Sequence, residues 1–317
     1  MLLSPFAWSQ KRADMSSGRV ACRRFAGPGT YVGKMSPVRV AHVTDLHVGR
    51  MTPFAIQREA QNLVNAQNPD VVLVTGDFVC HSQLYLDQLT HLMEGFHAPV
   101  LAVLGNHDYW AGAEEVCQAL RRAGVEILRN QHTTLTVRGQ AIQIVGLDDA
   151  YTGHARLDRA VAGLRRDVPT LALSHIPEEA DLLWAHGIPL VLSGHTHGGQ
   201  ITLARLHEIT LGKIGGHKYL HGLYGSRQGN DNAGAVYVGA GIGSAVMPLR
   251  IGDRGKREVT IFELGMRPGH FDEHHAEQRA LPGRAVSPRK LARRMAKVAR
   301  KRERRANRRT MEMPSLP

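Results

Sequence analysis

The chain has 317 residues, 43% of them hydrophobic, and a formal net charge of +12. That length and apolar content suit a globular chain with an ample core, and no stretch reaches the roughly 18 apolar residues of a membrane span. The charge excludes less than its size suggests. Residues 284–309 hold thirteen Lys and Arg against Glu303 alone, which equals the whole excess, and residues 1–39 are also basic. The stretch between is mildly acidic, so the central region is not a basic nucleic-acid-binding domain. Three cysteines, Cys22, Cys80 and Cys117, cannot form a closed disulfide set. They favour a reducing, cytoplasmic setting.

Residues 1–37 carry charges but no continuous apolar segment, so they fail the signal-peptide pattern and are expected to be a disordered leader. Met15 and Met35 are alternative starts. From residue 38, short β-branched runs alternate with helical patterns: "VRVAHVT", "FAIQREAQNLVNAQ", "DVVLVTG", "SQLYLDQLTHLMEGF", "PVLAVLG" and "AEEVCQALRRAG". This alternation implies βαβ units with helices packed outside a sheet. "TLTVRG" and "AIQIVGL" meet at Gly139 as a hairpin. The alternation then resumes with "RLDRAVAGLRR", "TLALSH", "EEADLLWAHG" and "PLVLSGH". Beyond His197 come Gly-rich loops and two strands, "GAVYVGAGIG" and "REVTIFEL", with no clear helix. The predicted architecture is α/β: a two-sheet sandwich with helices on both outer faces, over residues 38–266.

Residues 267–317 read as a polar linker and a basic, helical tail. In that tail Leu291, Met295 and Val298 fall at i, i+4 and i+7, a narrow apolar stripe on a strongly basic helix. The stretch fits a solvated tail, a peripheral contact with anionic lipid at the inner face of the membrane, or an arm on RNA or DNA.

Ligands of open α/β sheets gather at the carboxyl ends of strands, where the loops emerge on one edge. Five strand ends of this chain deliver ionisable or amide side chains there. They are Asp45 and His47, Asp77, then Asn106, His107 and Asp108, then His175, and finally His195 and His197. Singly each has a plain explanation: an aspartate caps a following segment, Asn106 after Gly105 suits a turn, and a lone histidine is usually structural. Turns have no need of five histidines in concert, however. Carboxylate, amide and imidazole donors together suit Mn, Fe, Zn or Co better than Ca or Mg. One carboxylate can bridge two such cations, and a hydroxide held between them is then the nucleophile of a phosphoryl transfer.

The ordered motifs Asp45-x-His47, Gly76-Asp77, Gly105-Asn106-His107-Asp108, His175 and Gly194-His195-x-His197 closely resemble the calcineurin-like metallophosphoesterase superfamily over about residues 38–264. "GNHDYW", "LSHIPE" and "SGHTHGGQI" look most like its bacterial branch of envelope phosphodiesterases and UDP-2,3-diacylglucosamine diphosphatases. The resemblance implies a four-layer αββα fold and two divalent metal ions. Asp45, His47, Asp77 and His197 would hold one metal. Asp77, Asn106, His175 and His195 would hold the other. His107 would face the substrate, stabilise the transition state and protonate the leaving oxygen, and Asp108 would orient its ring, unless Asp108 is a simple turn acceptor. The implied substrate is a phosphodiester, phosphomonoester or pyrophosphate, lipid-linked in the narrower branch. A nuclease of the same superfamily and a tail-tethered binding protein with a vestigial metal site are the alternatives. Tyr109, Trp110, His217 and His221 are candidates for the rim, and Gln200 for a phosphate contact.

Overall fold

The computed structural model describes residues 18–199, 212, 215–228, 234–244, 250–271 and 273–312. Among these residues, twelve strands form two facing six-stranded sheets. In chain order the elements are β1 (Val20–Ala26), β2 (Val38–Val43), α1 (Phe54–Ala66), β3 (Val71–Thr75), α2 (Leu86–Glu94), β4 (Val100–Val103), α3 (Asn106–Ala111), α4 (Ala113–Arg122), β5 (Glu126–Ile127), β6 (Gln131–Val137), β7 (Gln140–Leu147), α5 (Leu157–Ala160), β8 (Thr170–Ser174), α6 (Ala180–Ala185), β9 (Leu190–Ser193), β10 (Gly222–Gly225), β11 (Ala235–Val238), β12 (Arg257–Leu264) and α7 (Pro288–Glu312).

The first sheet runs β1-β12-β2-β3-β4-β5 and the second β10-β11-β9-β8-β7-β6. Strands β2 to β5 are mutually parallel, as are β7, β8, β9 and β11. Their carboxyl ends therefore emerge on common edges. A central strand such as β3, "VVLVT", is buried along its whole length because both of its faces are covered. Between the sheets pack Phe25, Val40, Leu73, Leu101, Ile144, Leu173, Leu192, Tyr237 and Phe262. Each such side chain contributes about 1.5–3 kcal/mol by leaving water. Apolar faces of α1, α2 and α4 cover the first sheet, and α5 and α6 cover the second. The expected αββα layering is the observed one.

Two boundaries differ from expectation. Residues 1–17 lie outside the described residues, but Val20–Ala26, placed in a disordered leader, forms β1 and pairs in parallel with β12. A start at Met35 would remove that strand. Arg23 and Arg24 hide it in the sequence by interrupting its apolar run. In the fold they are paired, Arg23 with buried Glu258 and Arg24 Nη2 with Glu263 Oε1 at 2.7 Å. The helix expected over "RLDRAVAGLRR" is only α5, four residues long, and the chain turns at Gly163, where φ is +81°. The linker after β12 is irregular but tied down: Arg227 Nε donates to Glu277 Oε1 at 2.9 Å and Nη1 to Glu273 Oε1 at 2.8 Å.

The tail is helical, as expected. Ser287 opens α7, its hydroxyl accepting from the Lys290 amide at 3.3 Å, with Pro288 in the first turn. Leu291 and Val298 are half-buried against the domain, whereas Met295 is 43% exposed. The inward face of the helix reads Leu291, Arg294, Val298, Lys301 and Arg305.

Candidate metal centre

The side chains at the strand ends converge where the two sheets meet. Asp45, His47, Asp77, His195 and His197 all adopt left-handed backbone conformations, with φ of 50°, 44°, 55°, 75° and 54°. Such positions are uncommon outside glycine, and Asn, Asp and His tolerate them best. Held this way, the chain turns sharply after each strand and aims the side chain back over the sheet edge. Two glycines make room. A Cβ at Gly105 would collide with the Asp77 carboxylate, and one at Gly194 with Thr44 and the Asp45 carboxylate. The sheets are stitched at this edge by His195 N–H donating to Asp45 Oδ2 at 3.1 Å and His175 Nδ1–H donating to the Thr75 carbonyl at 2.7 Å.

The donor atoms crowd without conventional partners. His47 Nε2 stands 3.1 Å from His197 Nε2, 3.5 Å from Asp77 Oδ2 and 3.8 Å from Asp45 Oδ1. His197 Nε2 is 3.4 Å from Asp45 Oδ1. On the other side, His175 Nε2 is 3.4 Å from Asp77 Oδ2 and 3.3 Å from His195 Nδ1. Donors about 2.1 Å from a common cation stand roughly 3.0–3.4 Å apart, the edge of an octahedron or tetrahedron. Buried Asp45 Oδ1 and Asn106 Oδ1 have no hydrogen-bond partner. An orphaned carboxylate oxygen and amide oxygen beside facing imidazole nitrogens are costly alone and are satisfied by cations. The residues present fit a pair of divalent metals. His107 also approaches His47 and Asp77 as closely as the other groups of donors do.

Burial disfavours charge throughout. It pushes His47 down to about 3, and holds His195 and His197 well below the usual histidine range, aided by the neighbouring His175 and His47 rings respectively. Neutral imidazole is the metal-binding form. For His175 burial acts the same way, but Asp77, Asp45 and Asp149 outweigh it and push the ring up to about 10. Burial also opposes ionisation of Asp77, yet the surrounding histidines hold its carboxyl well below the carboxylate range.

His107 sits at the second residue of α3. Its Nδ1–H donates to the Cys80 carbonyl at 2.6 Å, which leaves Nε2 as its free nitrogen because a carbonyl only accepts. Its ring centroid is 4.7 Å from His47, 4.4 Å from His81 and 4.6 Å from Trp110. Asp108 does not orient it. The Asp108 carboxylate is fully buried on a different side of α3 and accepts from the amides of Asp77 (2.9 Å), Phe78 (2.8 Å), Val79 (3.3 Å) and Gly105 (2.9 Å). Burial and the charge of Asp77 push Asp108 up to about 8 against the pull of those amides. It is a turn acceptor that fixes the loop after β3 to the start of α3.

Of the rim candidates, Trp110 and His217 reach the site, His217 at 5.5 Å from His195 between ring centroids. Tyr109 is core, with its hydroxyl donating to Asp148 Oδ2 at 2.7 Å. His221 is buried against Glu258, 3.0 Å away. Gln200 lies outside the described residues. Thr196 points away from the centre, its hydroxyl donating to the Leu220 carbonyl. Sequence reasoning missed His81, stacked on His107, and Tyr151, 5.3 Å from His195. It also missed Arg250, which burial pushes down to about 10 and whose Nη2 lies 3.4 Å from His197 Nδ1. His81 had a local signal, since it follows the "GDFVC" turn; Arg250 had none.

Residues 38–199 match the family profile described as Calcineurin-like phosphoesterase. This chain belongs to the calcineurin-like phosphoesterase family. Among its relatives in the family is Phosphodiesterase YaeI of Escherichia coli (strain K12), 30% identical over 239 residues, 72% of this chain and 83% of that protein. The uncharacterized metallophosphoesterase YkuE of Bacillus subtilis (strain 168) is 29% identical over 71% of this chain and 78% of its own length. UDP-2,3-diacylglucosamine pyrophosphatase LpxG of Chlamydia trachomatis serovar D is 26% identical over 52% of this chain and 65% of its own. As a calcineurin-like phosphoesterase of this bacterial branch, the chain is a metal-dependent phosphoester hydrolase. Family members use divalent metals, and its clustered Asp and His side chains supply the donors.

Proposed function

We propose that this chain hydrolyses a phosphodiester, phosphomonoester or pyrophosphate bond with two divalent cations. Asp45, His47, Asp77 and His197 hold one, and Asp77, Asn106, His175 and His195 the other. The observation that carries this reading is that one oxygen, Asp77 Oδ2, faces His47 Nε2 at 3.5 Å and His175 Nε2 at 3.4 Å. The mixed imidazole, carboxylate and amide set favours Mn, Fe, Zn or Co. When bound, the cations supply Lewis-acid charge and activate water. His107, anchored through Nδ1 by the Cys80 carbonyl, presents Nε2 to the leaving oxygen as a proton donor. Asp108 acts through the backbone, holding Asp77 and the start of α3 in register. Trp110 and His81 wall the His107 side against water.

A lipid-linked substrate is supported by the likeness to the UDP-2,3-diacylglucosamine pyrophosphatase LpxG, whose substrate carries two acyl chains. All three cysteines are free, and no helix among the described residues is long and apolar enough to cross a membrane. Exposed Arg289, Arg293, Arg300 and Arg304 on α7 support peripheral contact with the anionic inner face of a membrane. Chelator-stripped protein reconstituted with Mn²⁺ tests the core of the reading. Wild type regains hydrolysis of aryl phosphodiesters or monoesters, whereas Asp77→Ala binds neither metal in full and loses activity by 1,000-fold or more, on the order expected when a metal centre is lost. Wild-type turnover by Asp77→Ala overturns it.

A further inference from the structure

We propose that the cavity between His195 and α7 is a second anion site, which takes a phosphate group beyond the one being cleaved, with Arg294 as its principal specificity-determining residue. This rests on the hydrolytic reading above and deepens it. The cavity has a volume of about 720 Å³; Tyr151, His195 and His217 line its inner end, and Arg284, Lys290 and Arg294 its outer wall. That is room for a sizeable ligand directly beside a metal donor.

Its charges are unbalanced. Three acids also line it, Glu178, Glu179 and Asp181. Glu178 Oε1 is already engaged by His217 Nδ1 at 3.0 Å and by the Lys218 amide at 3.1 Å. Asp181 is paired with the Lys218 ammonium and accepts from the Tyr219 hydroxyl at 2.6 Å. Burial pushes Glu179 up to about 7. Arg284, Lys290 and Arg294, by contrast, have no carboxylate partner among the described residues.

Arg294 is aimed rather than free. Its guanidinium carbon lies 3.5 Å from the centroid of the Tyr151 ring, and that ring stands 5.3 Å from His195. Stacking fixes the guanidinium plane and leaves its N–H edge for a bidentate acceptor such as phosphate. The helix is seated to hold it there: Gly153, at φ +81°, has no Cβ, and one would strike Met295. Farther along, Lys297 and Lys301 lie 4.6 and 5.5 Å from the Trp110 centroid, next to His107. A helix docked for packing alone would turn its charges outward; α7 turns Arg294 and Lys301 toward the cleft.

Steady-state kinetics on the Mn²⁺-loaded full chain test this with two substrates: a nucleoside monophosphate p-nitrophenyl ester, with one phosphate, and a nucleoside diphosphate ester, with two. Arg294→Ala lowers kcat/KM for the two-phosphate substrate by roughly 10–100-fold, chiefly through KM, and changes the one-phosphate substrate by less than about threefold. Arg294→Lys recovers part of the loss, which excludes misfolding. Calorimetric titration of inorganic pyrophosphate into chelator-stripped protein reads the same site without activity: Arg294→Ala and Lys290→Ala each weaken binding about tenfold. Loss of pyrophosphate binding with no substrate discrimination assigns the site to free anion rather than to substrate. Equal behaviour of wild type and Arg294→Ala in both assays overturns the proposal. A wild type without any hydrolysis overturns the function reading instead, and the pyrophosphate titration still decides the anion site.

Discussion

At the floor of the cleft, donors arrive from the ends of five strands, and Asp45, His47 and Asp77 are 0–2% exposed. At its α7 wall the charges come from a single helix, whose Met295 is 43% exposed and whose grip on the domain includes Leu291, Val298, the Arg305 guanidinium donating to the Trp110 carbonyl and a few cation–ring contacts. The floor is set by backbone: left-handed turns, amide bonds to Asp108, and glycines where sheets nearly touch. The wall is set by side chains lying on aromatic rings. A change in the floor therefore acts on the reaction in an all-or-none way, because several groups share each turn and would share each cation. A change in the wall acts in proportion to the contact removed.

His107→Ala separates floor groups that hold metal from one that works on substrate. If His107 donates a proton from Nε2, the variant keeps its full metal content by atomic absorption while kcat falls by about 100- to 10,000-fold. Activity loss accompanied by loss of metal would make His107 a ligand, which its approach to His47 and Asp77 makes a pointed test.

Much of the floor is legible in the sequence because its chemistry is local. Each donor follows its strand within a few residues, so recognising β2, β3, β4, β8 and β9 also places Asp45, Asp77, Asn106, His175 and His195 on one edge. What sequence adjacency does not give is direction. His107 and Asp108 are neighbours on α3, and neighbours on a helix point about 100° apart. One ring faces the cleft while the next carboxylate turns into the amides behind β3. The wall and the sheet edge are illegible for a different reason. Tyr151, Arg250 and Arg294 reach the site only through tertiary packing, and β1 is hidden because its arginines pair with Glu258 and Glu263 far along the chain.

Asp108→Ala sharpens the distinction between shaping the floor and reacting on it. Removing the carboxylate leaves the buried amides of Asp77, Phe78 and Gly105 without an acceptor, a cost of about 1–3 kcal/mol in thermal or denaturant unfolding. Metal affinity falls as the Asp77 turn loosens. The dependence of kcat on the leaving group's acidity stays that of wild type, because His107 retains its anchor on Cys80. A variant that instead behaves like His107→Ala toward poor leaving groups would restore Asp108 as the ring's partner.

The smallest effects belong to the outer face of α7. Its apolar residues Leu291 and Val298 are spent against the domain, so insertion into a bilayer would require the helix to leave its seat. Contact with an anionic membrane through the docked helix is then purely electrostatic, worth about 1 kcal/mol for each basic residue near the surface. Replacing exposed Arg289, Arg293, Arg300 and Arg304 one at a time by Gln lowers co-sedimentation with phosphatidylserine vesicles about fivefold each at low salt. High salt removes the differences, since such charges are screened over roughly 10 Å at 0.1 M. Binding that survives both the substitutions and the salt would mean that α7 leaves the domain and buries Leu291 and Val298 in lipid, carrying Arg294 away from the cleft as it goes.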